Sequence, residues 1–329
     1  MNTINNPELA NITNQIETKI GEFVTLHTRP IYTDDNKNLP DISGGMDKTA
    51  FVLQGPVSEQ FDFTFETVKL YRRIFPEVIV IISTWQDESD EILNKIESLG
   101  AVVIRSIKPG NVGIGNVNLQ IRSSQSGIRR ALSLNAKYVL KTRTDVRIHA
   151  PDFLIHAQDL TLQFPLPEDV QKLQTKRLIS ISSGNKYLIN FVPDLNMYGH
   201  IDDMIKYWSP LEDDRVEATG LSSIVDLAKF GISESYFFRE YFKQINIECK
   251  YNLEDYWLLL RNHFVVMDAI SADIYWMRHN RYREFKNIHY LGLNTYDNFG
   301  FKDWLRLYSG TFPIIFNNRI IEKQPGEFI

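Results

Sequence analysis

The run Val78-Ile79-Val80-Ile81-Ile82-Ser83-Thr84-Trp85 is too apolar to have a wet face. A strand of that kind is buried on both sides, as in a parallel sheet covered by helices. It has company. Ala50-Phe51-Val52-Leu53 precedes it and Ala101-Val102-Val103-Ile104 follows it. A fourth run, KYVLKTRTDVRIH over 137–149, starts β-prone and turns charged. Helical patterns lie between these runs. Phe65, Val68, Tyr71 and Phe75 share one face of a helix over 60–75, closed by Pro76. A second helix spans 88–99, capped by Asp87 and stopped at Gly100. A third spans 117–134. Strands alternating with helices predict right-handed crossovers and an α/β fold, an open, mostly parallel sheet with helices on both faces.

The pattern loosens after Pro151. Strands are expected over 178–182 and 191–198, and helices over 202–208 and 234–245. Residues 1–48 read as an N-terminal extension with a helix over 14–23, 49–249 as the sheet-bearing domain, and 250–329 as an aromatic-rich C-terminal region packed on that domain. Aromatics at 12% within 43% hydrophobic residues suffice for a packed core. The net charge of −5 argues against general polyanion binding, so no nucleic-acid partner is expected. The single cysteine, Cys249, excludes an intrachain disulfide and suits a reducing compartment. No basic segment leads into an apolar run at the N-terminus, and no apolar stretch nears the roughly 20 residues of a membrane span. The expectation is a cytoplasmic protein with at most peripheral membrane contact.

Chemistry is expected where the strands end. Gln54-Gly55-Pro56-Val57, Thr84-Trp85, the glycine-punctuated loop over 108–116 and Arg143-Thr144-Asp145 all follow strands, and such loops converge on one edge to form a ligand crevice. Gly110, Gly113 and Gly115 permit positive φ in the long loop. GNVGIGN lacks the Gly-Lys-Ser/Thr of a phosphate loop and follows the third strand, so a dinucleotide fingerprint is not supported. Asn118, Arg122, Gln125 and Arg129 share one helix face, with Ile121, Ser124, Ile128 and Leu132 on another that can pack on the sheet. Two arginines on one face can grip a diphosphate through forked hydrogen bonds, or can be an ordinary solvated face.

Asp145 sits at a strand end beside this phosphate-binding material, where Mg²⁺ or Mn²⁺ can bind through one carboxylate and substrate oxygens. The alternative is surface pairing with Arg143 or Arg147. Asp194, Asp202, Asp203 and Glu234 are candidate general bases for transfer to a hydroxyl, or plain helix-capping acids, with Ser233 as a cap beside Glu234. His279, Arg281 and Tyr282 belong to a basic-aromatic cluster over 278–283 that can close on phosphates or stack on a sugar. No zinc-type histidine spacing and no serine or cysteine nucleophile motif is present.

In order, FVLQGPV, IISTW, KPG, NVNLQI and KTRTD occur over residues 51–145. This set resembles the WavE family of lipopolysaccharide-synthesis proteins, which belongs with glycosyltransferases of the GT-A fold. FVPDLNMYGHIDDM over 191–204 and the Ser-Glu-Ser-Tyr helix start are similar to later family segments. The resemblance implies a nucleotide-sugar donor at the C-terminal edge of the sheet and a glycan acceptor, expected to be lipid-linked. Gln54, Gly55, Pro56, Val57, Thr84, Trp85, Asn118, Arg122 and Arg143 would then meet the donor. Arg143-Thr144-Asp145 stands where many GT-A enzymes carry Asp-x-Asp. The divalent ion, Mn²⁺ or Mg²⁺, would fall to Asp145 alone, with Arg143 replacing part of its charge. In the family a basic residue often precedes the Gln of NVNLQI; Leu119 stands there, so a donor contact is absent or shifts to Arg122. Glu234 would be the base of an inverting transfer, with Asp202 and Asp203 in reserve. His279, Arg281 and Tyr282 would face the acceptor, within residues 250–329.

Two other functions fit the same fold. A sugar nucleotidyltransferase would carry a basic loop directly after the first strand, which Gln54-Gly55-Pro56-Val57 does not supply. A non-catalytic glycan- or nucleotide-sugar-binding protein fits the missing first acid.

Overall fold

The computed structural model describes residues 7–21, 23–24, 28–33, 47–181, 184–217, 221, 223–231, 233–280 and 298–311. The chain splits into two compact units, Met1–Tyr32 and Thr33–Ile329. In the first, helix α1 (Pro7–Ile20) buries none of its residues. It starts earlier than the helix expected over 14–23.

The second unit begins with β1 (Thr49–Gln54), α2 (Phe63–Ile74), β2 (Ile79–Trp85), α3 (Asp90–Glu97), β3 (Val102–Ser106), α4 (Val117–Ser133) and β4 (Tyr138–Arg143). It continues with β5 (Val146–Ile148), α5 (Phe153–Gln163), β6 (Leu178–Ile181), β7 (Gly184–Asn185), β8 (Met197–His200), α6 (Ile201–Trp208), α7 (Ile224–Phe230) and α8 (Ser233–Gln244). Then come α9 (Leu253–His263), β9 (Phe264–Met267), β10 (Ile274–Trp276), α10 (Met277–Asn280), β11 (Asn298–Phe299) and α11 (Phe301–Tyr308).

Seven strands form one sheet in the order β3-β2-β1-β4-β8-β6-β9. The first four are mutually parallel. β8 runs antiparallel to both β4 and β6, and β9 pairs parallel to β6. This is the open, mostly parallel α/β sheet that the alternation predicts.

Both faces are covered, and β1 shows how. Phe51 and Val52 point to opposite faces because side chains alternate along a strand. Phe51 meets Tyr71 and Phe75 at the end of α2 and Phe153 of α5, with ring centroids 5.3, 5.1 and 6.1 Å away. On the other face, α4 lies so close that a Cβ on Gly127 would come within 2.3 Å of Val52 Cγ1. The helix–sheet distance there is set by the absence of a side chain. Ile121, Ser124 and Ile128 are buried on this face as expected, but Leu132 is 46% exposed.

Two further expectations change. The run over 137–149 is not one strand: it turns at Thr144-Asp145, and β5 instead pairs antiparallel with β10. The strand expected over 191–198 starts only at Met197, although the Asn196 carbonyl already accepts from Ile181 N–H at 3.0 Å.

Gly127→Ala should lower the urea midpoint. Overpacking costs about 1–3 kcal/mol, against roughly 1 kcal/mol that alanine gains as a helix former. Unfolding followed by circular dichroism checks this; an unchanged or raised midpoint would mean that α4 can retreat from Val52 freely.

Candidate active site at the sheet edge

The turn after β4 is bound to the turn after β1. Thr144 N–H donates to the Gln54 carbonyl at 3.2 Å, and the Thr144 hydroxyl donates to the Pro56 carbonyl. Thr64 Oγ1 donates to the Thr144 carbonyl at 3.0 Å. Gly55 takes φ +110 with Thr144 Oγ1 only 3.5 Å from where a Cβ would stand, a conformation that favours glycine. Held this way, Arg143 and Asp145 face each other. Arg143 Nε and Nη2 donate to Asp145 Oδ1 and Oδ2 at 2.8 and 3.0 Å. Trp276 Nε1 adds a third bond to Oδ2 at 3.1 Å, and Arg278 Nε stands 3.9 Å from the same oxygen. Burial opposes the charge on Asp145, yet the Arg143 fork, Trp276 and Arg278 outweigh it and hold the carboxyl below the usual aspartate range.

A second polar group stands on the same edge. Because β8 is antiparallel, the residues that lead into it lie at the C-terminal end of β4. Asp194 therefore comes beside Lys141, whose side chain is fully buried. Lys141 Nζ donates to the Asp194 carbonyl and sits 4.0 Å from the Trp208 ring centroid. Burial brings its pKa down to about 7, against the attraction of Asp194. Asp194 Oδ2 accepts from Gln120 Nε2 at 2.5 Å. Ser233, the first residue of α8, directs its hydroxyl at two carboxylates, Glu234 Oε2 at 3.0 Å and Asp194 Oδ2 at 3.3 Å. Burial, and then the negative charge of Asp194, push Glu234 up to about 8. The glycine loop sets α8 in place: Gly115, at φ +61, lies with Ser233 N 3.6 Å from its missing Cβ. Gly113 is also at positive φ, whereas Gly110 is not.

The other expected site residues divide. Gln54 is buried and accepts from Ser123 Oγ at 2.7 Å, and Trp85 is buried at the end of β2. Val57 N–H and Thr84 Oγ1 both donate to Glu88 Oε1, at 3.1 and 3.2 Å. Asn118 is almost fully buried and spends its amide on backbone: Nδ2 donates to the Asp213 and Asn111 carbonyls, and Oδ1 accepts from Asp213 N–H. Arg122 pairs with Glu212 at 2.6 Å on the surface. Neither Asn118 nor Arg122 joins Arg143. Asp202 and Asp203 fall at the opposite end of the sheet, since His200 pairs with Tyr138 at the start of β4. Asp203 accepts there from the N–H groups of Thr175 and Lys176. His279 lies in α10, while Arg281 and Tyr282 lie outside the described residues. Sequence reasoning missed Lys141, Gln120 and Trp276 as site residues. A lysine inside a buried strand is the one signal that could have marked Lys141.

A divalent ion needs carboxylate lone pairs that are free to coordinate. Both Asp145 oxygens are taken by the Arg143 fork, and two guanidinium groups surround them. No group of three or more His, Cys, Asp or Glu side chains that could hold a metal occurs among the described residues. As arranged, the residues around Asp145 do not fit a divalent ion. Beside Val57, a cavity of about 360 Å³ opens between the loops after β1 and β2, lined also by Ser58, Asp62, Phe65, Ser89 and Lys95. It includes none of Arg143, Asp145 or Glu234.

Residues 49–320 of the 329 match the WavE lipopolysaccharide synthesis family. The chain belongs to that family. No curated protein matches it. Among solved structures, a cytidylyltransferase from Leptospira borgpetersenii is 14% identical over 51% of this chain and 66% of its own, with a TM-score of 0.28. A mannosyltransferase from S. cerevisiae is 11% identical over 58% and 53%, with a TM-score of 0.30. The Mn/GDP form of core-mannan synthase A from Aspergillus fumigatus is 9% identical over 75% and 80%, with a TM-score of 0.34. This chain thus spans less than two thirds of the first two structures. WavE membership ties it to lipopolysaccharide synthesis. No helix among its described residues is long and apolar enough to cross a membrane.

The raised Glu234 pKa has a sign that can be checked. The fold favours the protonated form, so the stability it contributes is full below the ordinary glutamate value of 4.5 and is lost as pH rises through about 8. Urea unfolding at pH 5 and pH 8 should show wild type losing stability relative to Glu234→Gln over that interval. A constant difference would place the Glu234 carboxyl in ordinary solvent.

Proposed function

We propose that this WavE protein is an inverting glycosyltransferase, with Glu234 as general base. The observation that carries the reading is the Asp194–Ser233–Glu234 cluster, two carboxylates meeting on one hydroxyl at the sheet edge that also carries Arg143. A base is most effective when its pKa lies near the working pH, and Glu234 is shifted toward that range. Glu234 Oε2 takes the proton of the acceptor hydroxyl as its oxygen bonds to the anomeric carbon. The bond from that carbon to the nucleoside diphosphate breaks, and the diphosphate leaves with the electron pair. Asp194, fixed by Gln120, and Ser233 orient Glu234 and hold water away from its buried side.

Gln54, Gly55, Pro56, Val57, Thr84 and Trp85 border the nucleotide, and the cavity beside Val57 has a size suited to a nucleoside. Residues 250–329 supply the acceptor side, and this region also reaches the donor's end of the site, where β10 folds back along β5 and brings Trp276 onto Asp145. The acceptor is a lipopolysaccharide glycan, lipid-linked and met at the cytoplasmic face of the membrane.

Transfer from UDP-, GDP- and CMP-linked sugars to lipid-linked glycans tests the reading. Glu234→Gln should lower kcat by about 10²–10⁴-fold with donor affinity unchanged. A wild-type rate in Glu234→Gln would remove its role as base. Donor binding without transfer to any acceptor would favour the non-catalytic binding protein.

A further inference from the structure

We propose that the donor's diphosphate charge is met in this chain by the Arg143 guanidinium, set in place by Asp145 and joined by Arg278, and not by a divalent cation. The inference rests on the nucleotide-sugar reading above and names how that site holds its phosphates.

The geometry points this way in three respects. Arg143 uses only Nε and one Nη2 hydrogen on Asp145, so three of its five N–H donors, including both on Nη1, are left for a ligand. Its orientation is held from two sides: the carboxylate fork fixes the guanidinium plane, and the Trp276 ring lies 5.5 Å from its central carbon. A guanidinium so held presents a planar, permanently charged donor set that matches phosphate oxygens, with little entropy left to lose. The local charge has the right sign as well. Arg143 and Arg278 put two guanidinium groups against the one Asp145 carboxylate, so positive charge is concentrated at this point of the edge, while the Asp194 carboxylate that also acts on Arg143 stands beside Lys141. Arg278, 67% exposed at its side chain, is free to swing onto a bound ligand. Asp145 is then a positioning residue: its work is to hold Arg143, not to bind metal.

Titration calorimetry of the full chain with UDP, GDP and CDP, once with EDTA and once with Mn²⁺, tests the proposal without requiring transfer. Binding of Mn²⁺ to the protein alone is followed by electron paramagnetic resonance. For the nucleotide that binds, the affinity should agree within about threefold in the two conditions. Arg143→Ala should lower it about 10–100-fold in both, the value of a charge-assisted hydrogen bond. Arg143→Lys, which keeps the charge without the fork, should fall between, and melting curves show whether each variant is folded. Asp145→Asn should weaken nucleotide binding modestly and leave its indifference to Mn²⁺ intact. The proposal is overturned if Mn²⁺ binds wild type and raises nucleotide affinity tenfold or more, with Asp145→Asn abolishing that gain. It is equally overturned if Arg143→Ala binds as wild type does. Failure of all three nucleotides in both conditions would sink the donor reading itself, and this proposal with it.

Discussion

The site depends on one buried ammonium group. Lys141 sits on the face of β4 that points to α4 and α6, in register with Val52 of β1. A charge there must find partners or lose its proton. It does some of each: it caps the Asp194 carbonyl and lies over Trp208, and its pKa falls toward neutral. Trp208 belongs to α6, and Asp194 to the segment that leads into β8. One side chain therefore ties together the strand that carries Arg143 and Asp145 and the segment that carries the second carboxylate cluster. The aromatic layer beneath it, with Tyr207, Trp208 and Phe237 in mutual contact, gives α6 and α8 a dry bed.

Two electrostatic arrangements result, and they differ in kind. Arg143 and Asp145 form a closed pair in which the acid is held ionised. Asp194 and Glu234 form an open pair of like charges, in which the proton is drawn onto Glu234. Pairs whose environments push their pKa values apart are the usual mark of divided roles in a site. Here the division follows from topology. The parallel strand β4 delivers the arginine, while the antiparallel strand β8 and the start of α8 deliver the acids.

Much of this was legible and some could not be. β2 was readable because five apolar residues in a row, Val78 to Ile82, admit no wet face. The neighbouring strands and helices followed from the same alternation, with ends shifted by one to three residues. Strand direction was not readable. Nothing in Met197–His200 says that β8 runs against β4, and direction alone decides that Asp194 joins the site while Asp202 and Asp203 do not. Asn118 and Arg122 shared a helix face with the right spacing for phosphate. Their partners at 212 and 213 are about ninety residues away in sequence, and only the folded chain shows the amide and guanidinium already spent. Ser233 read as a helix cap beside Glu234; the carboxylate it also meets, Asp194, comes from another element.

The closed and open pairs also bear on each other. A nucleoside diphosphate brings negative charge toward Glu234, and an added anion raises a carboxylate's pKa. A base already near 8 would then be drawn further from its active, ionised form as the donor bound. Cations next to the phosphates cancel that effect. Under the proposed function, Arg143 and Arg278 thus serve the base as well as the leaving group: by neutralising the diphosphate they keep Glu234 within reach of deprotonation. While it is protonated, Lys141 acts in the same sense, since its positive charge favours ionised Glu234, an aid that fades as pH rises through about 7. The buried lysine and the forked arginine stand two residues apart on β4, so one strand carries both the charge that acts on the base and the charge that answers the leaving group.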